Sequence, residues 1–340
     1  MRGGEEGGSV MWWPRGGGSR SGRGYRRVDV VVGGLGVLAW LVVGTAGTVA
    51  GLNLDRGGTV PDQILVPGMA AIFVCLIARV VAAAVRDRDR RFAALSLAIA
   101  LVLWAAGSAQ VNSSPNASTL NTFPAPGEWL FFANAAALAV YLFLDVASRV
   151  RPSVTDWLEA VVASGAAVCL VALLVVTPVA DDFARQGVPL LVALVYPVLD
   201  VVLLAVVIAQ VALHKRAASV GTGVLGAGLL ILTFADTSGT VVYLAQGTYG
   251  FGLVADVSWC VAYILLADSV CRPRAEPRPP REGSATGGRV TVGAAAVALS
   301  VLALLPNGAA RPYVVIPAIV TILAAGARLV LALRQARGAA

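Results

Sequence analysis

From about residue 28 onward the chain alternates long apolar runs with short polar breaks. A bilayer core is crossed by a helix of about 20 apolar residues, and ten runs of roughly that length follow one another. They predict helices over 28–52, 64–85, 92–109, 129–147, 157–179, 188–211, 221–244, 251–271, 290–305 and 313–333. The ninth is the shortest. Two stretches stand outside this pattern. Residues 1–27 are rich in Gly and Arg without periodicity and read as a disordered tail. Residues 272–288 form a Pro- and Arg-rich connection inside the membrane domain, which runs over 28–336. The expected fold is therefore all-α, a polytopic membrane bundle of ten transmembrane helices.

Composition agrees with that solvent. The chain is 58% hydrophobic and 13% charged, with a mean hydropathy of +0.80, whereas a soluble domain carries about 25% charged residues. The net charge of +7 would suggest nucleic acid in a soluble protein. Here it follows from the loops, because cytoplasmic segments of membrane proteins accumulate Lys and Arg. With the N-terminus inside, only Arg56, Arg185 and Arg311 of the 26 basic residues fall on outer segments. Both termini are therefore expected in the cytoplasm, and nucleic acid is not an expected partner. Lys215 is the one Lys beside many Arg, a bias of GC-rich bacterial coding. The expected location is the inner membrane of a bacterial cell.

Chemistry is sparse. Cys75, Cys169, Cys260 and Cys271 lie in or at the ends of apolar runs without CxxC spacing, and His214 is the one His. No metal, haem or other cofactor is expected. The chain has no P-loop, GxSxG, HExxH or dinucleotide fingerprint, so no enzymatic activity is expected. Gly47 and Gly51 form a GxxxG pair, which permits close helix contact, and a homodimer stays among the open possibilities.

The informative residues are carboxylates inside the spans. An Asp at the centre of a membrane helix costs about 2.5–3.5 kcal/mol, yet Asp200, Asp236 and Asp256 sit in three successive apolar runs. Each has aromatic company at helical spacing. Tyr196 lies four residues before Asp200, Tyr243 seven after Asp236, and Trp259 and Tyr263 three and seven after Asp256. A rise of about 1.5 Å per residue puts the three Asp roughly 8–18 Å from the outer helix ends. Asp145 and Asp268 lie near inner ends, where water is expected to reach them. Two readings stay open for the central set. It is polar glue between helices, at about 0.6 kcal/mol per contact, or a pocket for a small ligand, ion or proton formed by Tyr196, Asp200, Asp236, Tyr243, Asp256, Trp259 and Tyr263.

The segments "YPVLDVVLLAVVIAQVAL", "ILTFADTSGTVVYLAQGTYG" and "LVADVSWCVAYILLAD" resemble the amino-terminal membrane region of bacterial GGDEF/EAL proteins, the diguanylate cyclases and cyclic-di-GMP phosphodiesterases. The resemblance rests on Tyr196, Pro197 and Asp200, on Asp236 and Tyr243, and on Asp256, Trp259 and Tyr263. It extends to "DWLEAVV" with Glu159, and to "ARLVLALRQAR" with Arg328, Leu329 and Arg334, where Gln335-Ala336 replace the usual Glu-Asn. It covers roughly residues 150–337. The catalytic domains of that family have no counterpart here. The resemblance implies a sensory input module without its output domain, signalling to a cytoplasmic or membrane partner. A proton-coupled secondary transporter of the ten-helix type is the alternative, and a scaffold for membrane assembly a third reading. An inverted repeat, the mark of such a transporter, is not evident between the two halves of the sequence.

Overall fold

The computed structural model describes residues 30, 33–45, 62–113, 126–149, 154–173, 188–213, 219–246, 253–272, 286–304 and 311–338. Within them the chain is helical and contains no strand. The helices are α1 (Gly33–Thr45), α2 (Asp62–Arg86), α3 (Arg91–Ser113), α4 (Pro126–Arg149), α5 (Val154–Val171), α6 (Val188–Leu213), α7 (Val220–Gln246), α8 (Leu253–Cys271), α9 (Thr286–Ala303) and α10 (Arg311–Gly338). A single 3-10 turn, Arg88–Arg90, joins α2 to α3. The N-terminal tail, Tyr25 to Asp29 included, and most of the 272–288 connection lie outside the described residues.

Helix is the form these sequences take because their backbone polar groups must be satisfied within the segment when no water is at hand. Six helices contain stretches long and apolar enough to cross a membrane: Pro67–Arg86, Arg88–Val111, Gly127–Val146, Val220–Thr240, Val254–Cys271 and Val314–Arg334. Shorter apolar stretches occur in α1, α5, α6 and α9. The outward faces carry exposed Val74, Ile99, Phe143, Phe234, Ile316 and Leu323 among many others. Apolar surface this extensive is what a protein presents to lipid rather than to water. The molecule is an all-α, membrane-type bundle.

Packing divides it into two cores. The larger gathers α1–α4, α7 and α8 around Ile72, Leu76, Leu97, Leu101, Leu229 and Ile264. The smaller gathers α5, α9 and α10 around Cys169, Ala298, Val314 and Ala318. Helix α6 serves both, with Leu203 and Val207 in the first and Leu194 in the second. Close approaches are made at small residues. Gly107 of α3 and Gly127 of α4 meet backbone to backbone, and a Cβ on the first would collide with Phe131 and on the second with Val111. Gly228 of α7 lies against the Ala262 carbonyl of α8. Gly165 of α5 lies directly on the Thr321 hydroxyl of α10.

The arginine-rich end of the larger core departs from expectation. Asp145 and Asp268 were expected to reach water, but Asp145 is 3% exposed and both are paired with Arg. Arg79 of α2 binds Asp268 of α8, and Arg90 binds Asp145 at 2.6 Å. Arg90 and Arg86 also donate to the Val270 and Cys271 carbonyls, at 3.3 and 3.1 Å. Those are last-turn carbonyls of α8, which have no partner within the helix and sit at the negative end of its dipole. Tyr141 and Ser269 join α4 to α8 at 3.1 Å. One cluster thus ties α2, α3, α4 and α8 together. A similar link closes the smaller core, where Arg328 of α10 donates to Glu159 of α5 through Nε at 2.8 Å and Nη2 at 2.5 Å.

Two outcomes follow for stability. Removing one partner of a buried pair strands the other charge, at about 3–5 kcal/mol. Arg90→Met is therefore expected to lower the unfolding midpoint in detergent sharply, and a second change, Asp145→Leu, to restore most of it. Gly165→Ala is expected to cost about 1–3 kcal/mol by overpacking, with Thr321→Ala in the same chain returning the loss.

Candidate functional site

Between the arginine-rich end and the opposite end lies a second polar group, built around Asp200. Helix α6 buries this residue to 4% exposure within the apolar sequence VLDVVLL. Its carboxyl group comes within hydrogen-bonding reach of Asp236 on α7. Asp236 is brought there by the close α7–α8 contact at Gly228, two turns earlier on the same face. Trp259 of α8 completes the set, its indole Nε1–H donating to Asp236 Oδ1 at 2.5 Å. The Thr240 hydroxyl returns to the Asp236 backbone carbonyl at 2.9 Å and fastens that turn of α7.

The chemistry of the pair is constrained by its donors. Two carboxylates offer only acceptors to each other. With both ionised, the contact is repulsive, and among the described residues Asp200 Oδ2 is buried without a hydrogen-bond partner. One proton shared by the two carboxyl groups turns the same contact into an O–H···O bond. Such a pair titrates as a unit.

Around the pair runs a continuous aromatic wall. Trp104 of α3 stacks on Phe73 of α2 with centroids 4.4 Å apart, and meets Trp259 at 6.0 Å and Tyr263 at 5.3 Å. Tyr263 donates to Asn134 Oδ1 of α4 at 2.9 Å, while Asn134 Nδ2 donates to the Ala100 carbonyl of α3 at 2.8 Å. One turn of α6 before Asp200, Tyr196 points to α4. Its ring stacks on Phe132 at 5.0 Å and its hydroxyl donates to Glu128. Glu128 is in the first turn of α4 and 1% exposed, where the positive helix end favours a carboxylate.

The residues singled out from sequence thus separate. Asp200, Asp236 and Trp259 form one contact group, with Tyr263 beside it. Tyr196 shares the helix and adjoins α4 instead. Asp256 does not join the pair. It lines a small cleft with Val43, Gly68, Met69, Ile72, Val257 and Cys260, between α1, α2 and α8. The Tyr243 side chain lies outside the described residues. Sequence reasoning missed Glu128, one residue before the helix expected over 129–147, and Asn134. The signal for Asn134 was present, a lone amide in the apolar run LFFANAAALAVY.

No group of three or more metal-ligating side chains occurs among the described residues. No family model matches the chain, and no curated protein or solved structure matches it.

The indole contact supplies a direct readout. In protein labelled with ¹⁵N-Trp, Asp236→Asn is expected to shift the Trp259 indole N–H resonance upfield, because a hydrogen bond to a charged acceptor is roughly twice as strong as a neutral one. Trp259→Phe assigns the signal.

Proposed function

We propose that the protein is a membrane sensory module whose input is occupancy of the Asp200–Asp236 pair. The observation that carries this reading is the meeting of two carboxyl groups inside an apolar bundle, with a buried oxygen on one of them lacking a partner. Polar glue is served by satisfied groups. Asn134, Tyr263 and Ser96 are satisfied in this way, through Tyr263→Asn134, Asn134→Ala100 and Ser96→Ala137. A pair that needs a further proton or ligand to be satisfied is a site that responds to its surroundings.

Helix α6 supplies the means of response. It holds Asp200 and packs into both cores, so a change at the pair alters the seam between them. Signalling requires that the ligand bind two bundle states with different affinity, and a seam between two cores is where such states would differ. Helix α10, held to α5 by Arg328–Glu159, would carry the change to a partner. This agrees with the resemblance of residues 150–337 to the input region of GGDEF/EAL proteins, which includes Asp200, Asp236, Trp259, Glu159 and Arg328. Ten transmembrane helices, both termini in the cytoplasm and a bacterial inner membrane complete the proposal, with the arginine-rich end inside by the positive-inside rule.

The helix neighbours speak against the transporter alternative. An inverted repeat of five and five helices would match α3–α4 with α8–α9, and α4–α5 with α9–α10. Among the described residues α3 and α4 share the most extensive helix contact, whereas α8 and α9 have almost none, and α9–α10 packs far more closely than α4–α5.

The test uses paired spin labels in lipid nanodiscs. Labels at Val85 of α2 and Leu333 of α10, both exposed, are introduced after the native cysteines are replaced. The label distance is expected to change along an acid-to-neutral pH series, or with added Na⁺, in the parent protein. It is expected to stay fixed in Asp200→Asn and Asp236→Asn at unchanged thermal stability. A parent distance that ignores both probes removes the proposal. Loss of response only in step with loss of folding assigns the pair to glue.

A further inference from the structure

The surroundings of the pair differ on its two sides, and the difference identifies both a ligand and a route. Toward the arginine-rich end the buried neighbouring side chains are apolar, Leu203 and Val207 of α6, Leu225, Leu229 and Leu232 of α7, and Ile264 of α8, and the Thr233 hydroxyl on that side is bound to the Leu229 carbonyl of its own helix. These apolar side chains all belong to the larger core. The nearest ion pair in that direction involves Asp268, nine residues beyond Trp259 and roughly 13 Å along α8. Toward the opposite end the path is polar. Tyr196 stands one turn from Asp200 on α6, about 6 Å along the axis, and its hydroxyl is already engaged with Glu128. From α8 the pair faces Trp259 and Tyr263, and Asn134 of α4 binds Tyr263. Tyr263 spends its proton on Asn134, which leaves Tyr196 and Glu128 as the exchangeable groups in line.

We infer that the ligand of the pair is a proton, and that it is loaded and released through Tyr196 and Glu128. This rests on the reading of the pair as the site and adds the identity of the ligand and its path. A hard cation asks for six or more oxygen ligands. Here one Asp236 oxygen is taken by an indole N–H, and Asp200 is enclosed by apolar helix. A proton needs only the two carboxyl oxygens already in place.

The transfer is balanced at each atom. On release, the carboxyl O–H of the pair gives its proton to a water between Asp200 and Tyr196. That water gives one proton to the Tyr196 oxygen, and the Tyr196 O–H gives its own to the Glu128 carboxylate. One carboxylic acid becomes a carboxylate at the pair and one carboxylate becomes an acid at Glu128. Water and tyrosine end as they began. Glu128 then discharges to solvent at its end of the bundle, and loading is the reverse.

Infrared spectroscopy of the full-length protein in lipid tests this with D₂O as the probe. The pair is expected to show a protonated-carboxyl C=O band that is lost or displaced in Asp200→Asn and in Asp236→Asn. On transfer to D₂O this band shifts as the proton exchanges. Tyr196→Phe keeps the ring stacked on Phe132, and Glu128→Gln keeps an acceptor for Tyr196. Each is expected to slow the exchange at least about tenfold, the rate equivalent of one hydrogen bond lost, with the band itself in place. An unchanged exchange rate in both variants overturns the route and leaves the pair standing as a site. A spectrum with no such band sensitive to either Asp overturns the proton and, with it, the protonatable pair.

Discussion

A polar group enclosed by hydrocarbon has to be met by another polar group, because no water is there to meet it. That constraint decides which helices of this protein are neighbours. Apolar side chains can pack against almost any apolar face, so the many Val, Leu and Ala residues leave the arrangement open. Arg79 with Asp268, Arg90 with Asp145, Arg328 with Glu159, Asn134 with Tyr263, and Asp236 with Trp259 do not. All but the last join elements distant in sequence, and each would cost far more broken than the surrounding contacts gain when made. The glycines at 107, 127, 165 and 228 act with these pairs, since they let the backbones come close enough for the polar groups to meet.

The polar groups fall into two kinds. Those at the arginine-rich end pair opposite charges, with Arg79 Nε and Arg90 Nε buried without a hydrogen-bond partner among the described residues. Arg90 neutralises Asp145 and also caps the end of α8. Such a cluster fixes geometry. The group around Asp200 is different, because it brings two acidic groups together instead of an acid and a base. Two acids with one indole donor between them are one proton short of complementarity. On the reading proposed above, one small ligand would complete this site.

Much of this was legible in the sequence and some was not. The helices were legible because runs of about 20 apolar residues have few other uses; α6, read as 188–211, is Val188–Leu213, and α8, read as 251–271, is Leu253–Cys271. That Asp200, Asp236 and the turn of α8 carrying Trp259 stand at similar heights along their helices was legible too, since rise per residue needs no tertiary knowledge. Azimuth was not. Asp256 and Trp259 are three residues apart, about 60° around the helix, and that difference sends Trp259 to α7 and Asp256 to the cleft against α1 and α2. Partner choice was equally hidden. Asp145 and Asp268 looked like end residues in reach of water because their arginines lie 55 and 189 residues away in the chain. Glu128 stands one residue before the apolar run that predicts a helix over 129–147, although Pro126 and Gly127 already begin α4.

The position of α6 gives the incomplete pair its leverage. A helix wholly inside one core would feel a lost proton as a local repulsion, absorbed by small shifts of its neighbours. Helix α6 has one core on each side, with Leu203 and Val207 committed to the larger and Leu194 to the smaller. Asp236 and Trp259 belong to the larger core, so repulsion between ionised Asp200 and Asp236 pushes α6 away from that core and toward the other. The aromatic stack of Tyr196 on Phe132 resists the movement at one point, and it lies one turn from Asp200. The residue that holds α6 to α4 is thus also the residue nearest the charge that would displace it. On the proposed reading, protonation and helix position would be coupled through a single turn of α6, Tyr196 to Asp200.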